Sequence, residues 1–113
     1  MTKVEGMDIT TTRGDTVYLE INLKRQDGGT YIPQEGDTIR FALKRRITDL
    51  EPLIIKDVDM STLTLRIESE ETKALAEDNP TRISFVYDIE LTQKNGDVCT
   101  PIMGRFIITS EVH

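Results

Sequence analysis

The sequence predicts an all-β protein: an immunoglobulin-like antiparallel β-sandwich of about seven strands with one short helical turn. Three observations lead there. Residues 83–108 read as one long hairpin closed by Lys94-Asn95-Gly96-Asp97, because Asn and Gly both accept the positive φ that a tight hairpin turn asks for. Apolar and polar residues alternate with period 2 over several other segments, as half-buried strands do. Turn signals separate those segments at regular intervals, as a sandwich requires.

The elements follow in chain order. A short strand is expected around Asp8 to Thr11. Val17, Leu19, Ile21 and Leu23 then alternate with Tyr18, Glu20, Asn22 and Lys24 as far as the turn Asp27-Gly28-Gly29. Ile39, Phe41 and Leu43 alternate with Arg40, Ala42 and Lys44 after the turn at residues 33–37. Leu53-Ile54-Ile55 follows Pro52 as a shorter apolar strand, and Leu63, Leu65 and Ile67 form the inward set of the next one. Ser69 to Ala76 breaks the period with good helix formers, acidic residues in the first turn and Ser69 as the candidate N-cap. Pro80 marks where the chain leaves that helical turn. A helical turn just before a Tyr-bearing strand resembles the E–F corner of immunoglobulin-like sandwiches, with Tyr87 two residues before the position of the second cysteine. The Cys–Trp–Cys core of antibody domains is absent.

Within the long hairpin, opposed positions sum to 191, so Ile83 faces Ile108, Phe85 faces Phe106, Tyr87 faces Gly104, Ile89 faces Ile102 and Leu91 faces Thr100. All lie on one face. Asp88, Glu90, Cys99, Met103 and Arg105 fall on the other. Pro101 opposes Glu90 at a site that wants an N–H, which predicts either a bulge near residues 99–101 or a ladder that skips there; a bulge leaves the Phe106 and Ile108 pairings provisional.

A chain of 113 residues is expected to fold as one domain, residues 1–113, with a core of Ile, Leu and Val. Its net charge of −6 argues against nucleic acid as a partner, since phosphate binding needs a basic face. One cysteine excludes an intrachain disulfide and a cysteine zinc cluster. No apolar run approaches the ~20 residues of a membrane helix and no signal peptide is visible, so a soluble cytoplasmic product without a membrane partner is expected.

The residues that could carry chemistry each have a plainer explanation. Cys99 and His113 are the only nucleophile–base candidates, and His113 is terminal. Asp57 and Asp59, with Asp49 and Glu51, lack the spacing of a calcium loop. Arg13-Gly14-Asp15 spells an adhesion tripeptide but reads as turn chemistry before a strand. Asp88 and Glu90, with Arg105 diagonal to Asp88, read as cross-strand ion pairing. The glycines show no phosphate-loop spacing. The expectation is therefore a non-enzyme with no catalytic, metal or cofactor residues.

An ordered series of strings goes further: Arg13-Gly14-Asp15-Thr16, Gly36-Asp37-Thr38-Ile39-Arg40-Phe41, Glu71-Thr72-Lys73-Ala74-Leu75, Tyr87-Asp88-Ile89-Glu90-Leu91, Asn95-Gly96-Asp97-Val98 and Gly104-Arg105-Phe106-Ile107-Ile108. In order and spacing it resembles the small immunoglobulin-like β-sandwich proteins of tailed bacteriophages and prophages, among them the N-terminal domain of phage baseplate upper proteins. The resemblance spans roughly residues 8–112 and implies a structural role, docking onto a tail or baseplate within a symmetric oligomer. Two departures stand out. The connection Asp78-Asn79-Pro80-Thr81-Arg82 lacks the family's glycine, and the chain stops at His113, which favours a stand-alone adaptor or minor virion part. The implied localisation is the host bacterial cytoplasm during assembly, then the virion. Contacts are expected from outward apolar residues, namely Tyr18, Ile54, Val86, Met103 and Ile107, with the chain itself or other tail proteins as partners. The alternative is an immunoglobulin-like binding module that takes carbohydrate or a host surface protein at the loops Asp27–Gly36 and Asp78–Arg82, where Tyr31 is the aromatic able to stack on a sugar.

Overall fold

The structure, a computed structural model, describes residues 3–5, 7–25, 27–77 and 81–110, with the backbone alone for residues 3–5. Its strands are β1 (Lys3–Glu5), β2 (Asp8–Thr12), β3 (Val17–Glu20), β4 (Thr38–Lys44), β5 (Ile54–Asp57), β6 (Thr64–Ile67), β7 (Arg82–Thr92) and β8 (Val98–Thr109), with one helix, α1 (Ser69–Leu75), between β6 and β7. They form a six-stranded sheet in the order β1-β2-β8-β7-β4-β5 and a two-stranded sheet β3-β6. The chain crosses between layers before β3, β4, β6 and β7, which is the connectivity of an immunoglobulin-like sandwich. One pair departs from the antiparallel expectation: β2 runs parallel to β8, with Ile9 beside Phe106 and Thr11 beside Ile108.

Alternation decides what is buried. Val17, Leu19, Ile21 and Leu23 face inward from the small sheet, and Ile39, Phe41, Leu43, Phe85, Tyr87, Ile89 and Phe106 face them from the large one. At the centre the Phe41 ring stacks on Tyr87 at 5.5 Å and meets the edge of Phe106 at 6.5 Å. Pairs of this geometry add roughly 0.5–1.5 kcal/mol beyond their buried area.

The long hairpin keeps the predicted register from Ile83–Ile108 to Ile89–Ile102. The bulge falls on the tip side, opposite Glu90, so Leu91 faces Cys99 rather than Thr100. Pro101 thus sits where no ladder N–H is required. Within the tip Gly96 takes positive φ and Asn95 does not. Gly96 N–H donates to Gln93 O at 2.8 Å and Gln93 N–H to Asp97 O at 2.8 Å, a longer loop than the two-residue turn expected, in which the glycine alone turns left-handed.

Two further expectations change. The residue before the helix, Glu68, is the N-cap in place of Ser69, and its N–H is accepted by Glu71 Oε1 at 3.0 Å. The helical turn α1 lies between β6 and β7 as expected, but the Tyr87 hydroxyl does not bond back to that corner. It donates to the carbonyl of Met7, at the turn between β1 and β2. That carbonyl occupies the place a side chain would take at Gly104, where an added Cβ would lie 2.0 Å from it.

The Met7 turn is therefore locked from both sides, which makes a testable pair. Gly104→Ala is expected to destabilise the fold by about 1–3 kcal/mol through overpacking, and Tyr87→Phe by about 1 kcal/mol through the lost hydrogen bond. Urea unfolding midpoints read both, and unchanged midpoints would contradict the lock.

Candidate interaction surface

The residues that looked chemical are held in structural roles. All three backbone N–H groups of Arg13-Gly14-Asp15 are engaged, by Thr109 O at 2.8 Å, Thr72 Oγ1 at 3.0 Å and Thr12 O at 3.0 Å. Thr72 is fully buried and its hydroxyl lies 3.0 Å from both Asp15 O and Ser69 O, fastening α1 to the turn before β3. Asp59 Oδ1 accepts from Ser61 N and Oγ at 2.9 and 2.6 Å, which holds its carboxyl below the usual range. Asp49 accepts the N–H of Arg46 at 3.1 Å. No group of three His, Cys, Asp or Glu able to hold a metal occurs among the described residues. His113 and the loop residues 78–80 lie outside them.

Cys99 shares the face of Leu91 beyond the bulge, not the polar face expected, and it is exposed. It borders a hollow with Leu23, Tyr31, Gln93 and Pro101. Arg105 pairs with Asp8 at 2.9 Å instead of Asp88, and this pair holds the Asp8 carboxyl below its ordinary value. Glu90 lies 3.9 Å from Arg40. Lys56 of β5 reaches Glu71 of α1 at 2.7 Å. Burial pushes the Glu71 carboxyl up, but the Lys56 hydrogen bond and the Glu68 N–H outweigh it, and the group ends below its usual range.

Tyr31, half-buried beside that hollow, is anchored through its hydroxyl. Its hydroxyl donates to Asp37 Oδ2 at 2.6 Å and accepts from Gln93 Nε2 at 3.2 Å. Asp37, only 7% exposed, also accepts the N–H groups of Gln34 at 2.9 Å and Lys94 at 3.3 Å. This one carboxylate joins the loop before β4 to the hairpin tip. The Tyr31 hydrogen bond, then those of the two backbone groups, hold its pKa below the ordinary value.

The predicted contact residues scatter. Tyr18 stands exposed on β3, 60% accessible. Ile21 N–H donates to Leu63 O at 2.8 Å and Tyr31 N–H to Leu23 O at 2.9 Å, so the odd-numbered residues bond on the β6 side. The backbone groups of Tyr18, Glu20 and Asn22 consequently face an edge that no strand among the described residues pairs with. Val86 and Met103 do lie together on the outer face of the large sheet, whereas Ile107 is only 4% exposed and cannot contribute. Ile54 packs toward the core, and its neighbour Ile55 points out instead.

The register brings three residues to Val86 and Met103 that sequence reasoning did not place there. Ile55, Ala42, Asp88 and Met103 form one row across β5, β4, β7 and β8. Ile47, from the β4–β5 connection, lines a hollow of about 300 Å³ with Ala42, Val86 and Met103. The signal for Ile55 was present, since Leu53-Ile54-Ile55-Lys56-Asp57 must alternate. Lys56 on the inward side disguised the phase. Met103, Ile55 and Ile47 of this outward cluster are each more than half exposed. No protein-family model matches this chain, and a search of curated proteins finds no match. No helix among the described residues is long and apolar enough to cross a membrane.

The Asp37 network carries a pH signature. A carboxylate with a depressed folded value stabilises the fold above its unfolded value, near pH 3.8, and loses that contribution as pH falls through the folded one. The melting temperature of the native chain should therefore exceed that of Asp37→Asn at neutral pH, with the gap closing below about pH 4. A gap constant with pH would contradict it.

Proposed function

We propose that this chain is a structural protein of a tailed phage or prophage, a tail or baseplate component or adaptor that works through protein–protein contacts. The observation that carries the contact role is the outward row Ile55, Ala42, Asp88 and Met103, with Val86 and Ile47 beside it. Met103, Ile55 and Ile47 are each more than half exposed, on a strand face where polar residues would suffice for a monomer. The open β3 edge adds unpaired backbone groups of the kind that other chains pair with. The tail or baseplate setting is supported by the ordered strings of the sequence, from Arg13-Gly14-Asp15-Thr16 to Gly104-Arg105-Phe106-Ile107-Ile108.

Mass spectrometry of purified particles induced from the source strain tests this reading. The chain is expected in the particles, at a copy number that is a multiple of three or six if it sits on the tail axis. A chain abundant in the lysate but missing from clean particles would overturn the virion assignment.

A further inference from the structure

The outer face of β5, β4, β7 and β8 carries a pattern that a second copy of the same face matches. Three parallel rows cross it. The middle row is Ile55, Ala42, Asp88 and Met103. On one side lie Asp57, Arg40 and Glu90, and on the other Lys44, Val86 and Arg105. We propose that two copies associate through this face about a two-fold axis that runs along the strands, between β4 and β7. The proposal deepens the contact reading above and rests on it in one respect, that the chain acts by binding protein.

The charges select the axis. Rotation about a line along the strands lays β4 over the partner's β7 and β5 over the partner's β8, as in aligned sheet packing. Ile55 then meets the partner's Met103, and Arg40 meets the partner's Glu90, each contact occurring twice. Lys44 falls over the partner's Val86, next to the partner's Asp88. That carboxylate makes no side-chain hydrogen bond or ion pair among the described residues, so it is open to a cation from the partner. Rotation about a line across the strands would instead stack Lys44 over the partner's Arg40, a like-charge contact that disfavours that mode.

The β3 edge offers no comparable route for a folded copy. The six-stranded sheet extends beneath that edge, and a hollow of about 400 Å³ lined by Met7, Ile9, Tyr87, Ile89 and Ile102 lies beside it. A second copy that paired there would drive its own wide sheet into this one. The outer face has no such obstruction from the small sheet, which lies on the opposite side.

Four strands about 4.8 Å apart and three rows about 7 Å apart give a patch of roughly 200 Å², smaller than the ~800 Å² per partner of a standard interface. The dimer is accordingly weak, and it gains from copies held together in a larger assembly. Sedimentation velocity over a concentration series is the test. The native chain should show a concentration-dependent dimer, weakened at least tenfold by Ile55→Lys or Met103→Lys with the melting temperature unchanged. Arg40→Glu and Glu90→Arg should each fail to self-associate, and a mixture of the two should associate again, because each new charge meets its opposite across the two-fold. A chain monomeric at every concentration, or a dimer indifferent to these substitutions, would overturn the inference. Either result is separable from the virion reading, which stands or falls on the particle composition.

Discussion

The inner face of the six-stranded sheet must be buried under only two strands, and the placement of every other element follows from that. Phe41, Tyr87 and Phe106 fill the centre of that interface, and the small sheet answers with Val17, Leu19, Ile21, Leu65 and Ile67. Because strand side chains alternate, fixing the inward set fixes the outward set at the same time. The row Ile55, Ala42, Asp88 and Met103 is thus a geometric consequence of where Ile54, Phe41, Tyr87 and Ile89 must point. Where two strands are too few to cover six, the β1–β2 turn supplies a lid. The missing side chain at Gly104 admits the Met7 carbonyl, and the Tyr87 hydroxyl receives it.

The hairpin from Ile83 to Ile108 was legible in the sequence because period, turn and length agreed. The bulge was legible too, from the missing N–H of Pro101, but its side of the hairpin was not. A proline excludes ladder positions without saying in which direction the register slips. The loop conformation escaped as well, because Asn95 gives its side chain to Asp97 N–H at 2.9 Å and leaves the left-handed position to Gly96 alone. β1 and the parallel pairing of β2 were unreadable for a plainer reason. Both depend on which edge is free after the sandwich has formed, and no local pattern encodes that.

The polar residues divide into two kinds of work. Thr72, Asp37 and Glu71 each join segments distant in sequence: α1 to the turn before β3, the loop before β4 to the hairpin tip, and α1 to β5. These are the residues that a motif search could mistake for a site. Sequence reasoning found Val86 and Met103 because they sit on a hairpin of known register, and it included Ile107 because alternation alone sees a face but not what covers it. Ile55 and Ile47 come from a short strand and its connection, where the phase of alternation was ambiguous. The electrostatic pattern over the whole face, with Arg40 beside Glu90 and Asp88 left without a cation, appears only when four strands are placed side by side.

The outer face of β4, β5, β7 and β8 is proposed as the place where this chain meets a second copy of itself. Amide chemical shifts followed by NMR as the native chain is diluted test it most directly. Shifts are expected to be confined to residues around Ala42, Ile55, Asp88 and Met103, with the β3–β6 sheet unmoved. Concentration-dependent shifts centred on β3 and β6, or none anywhere, would contradict it.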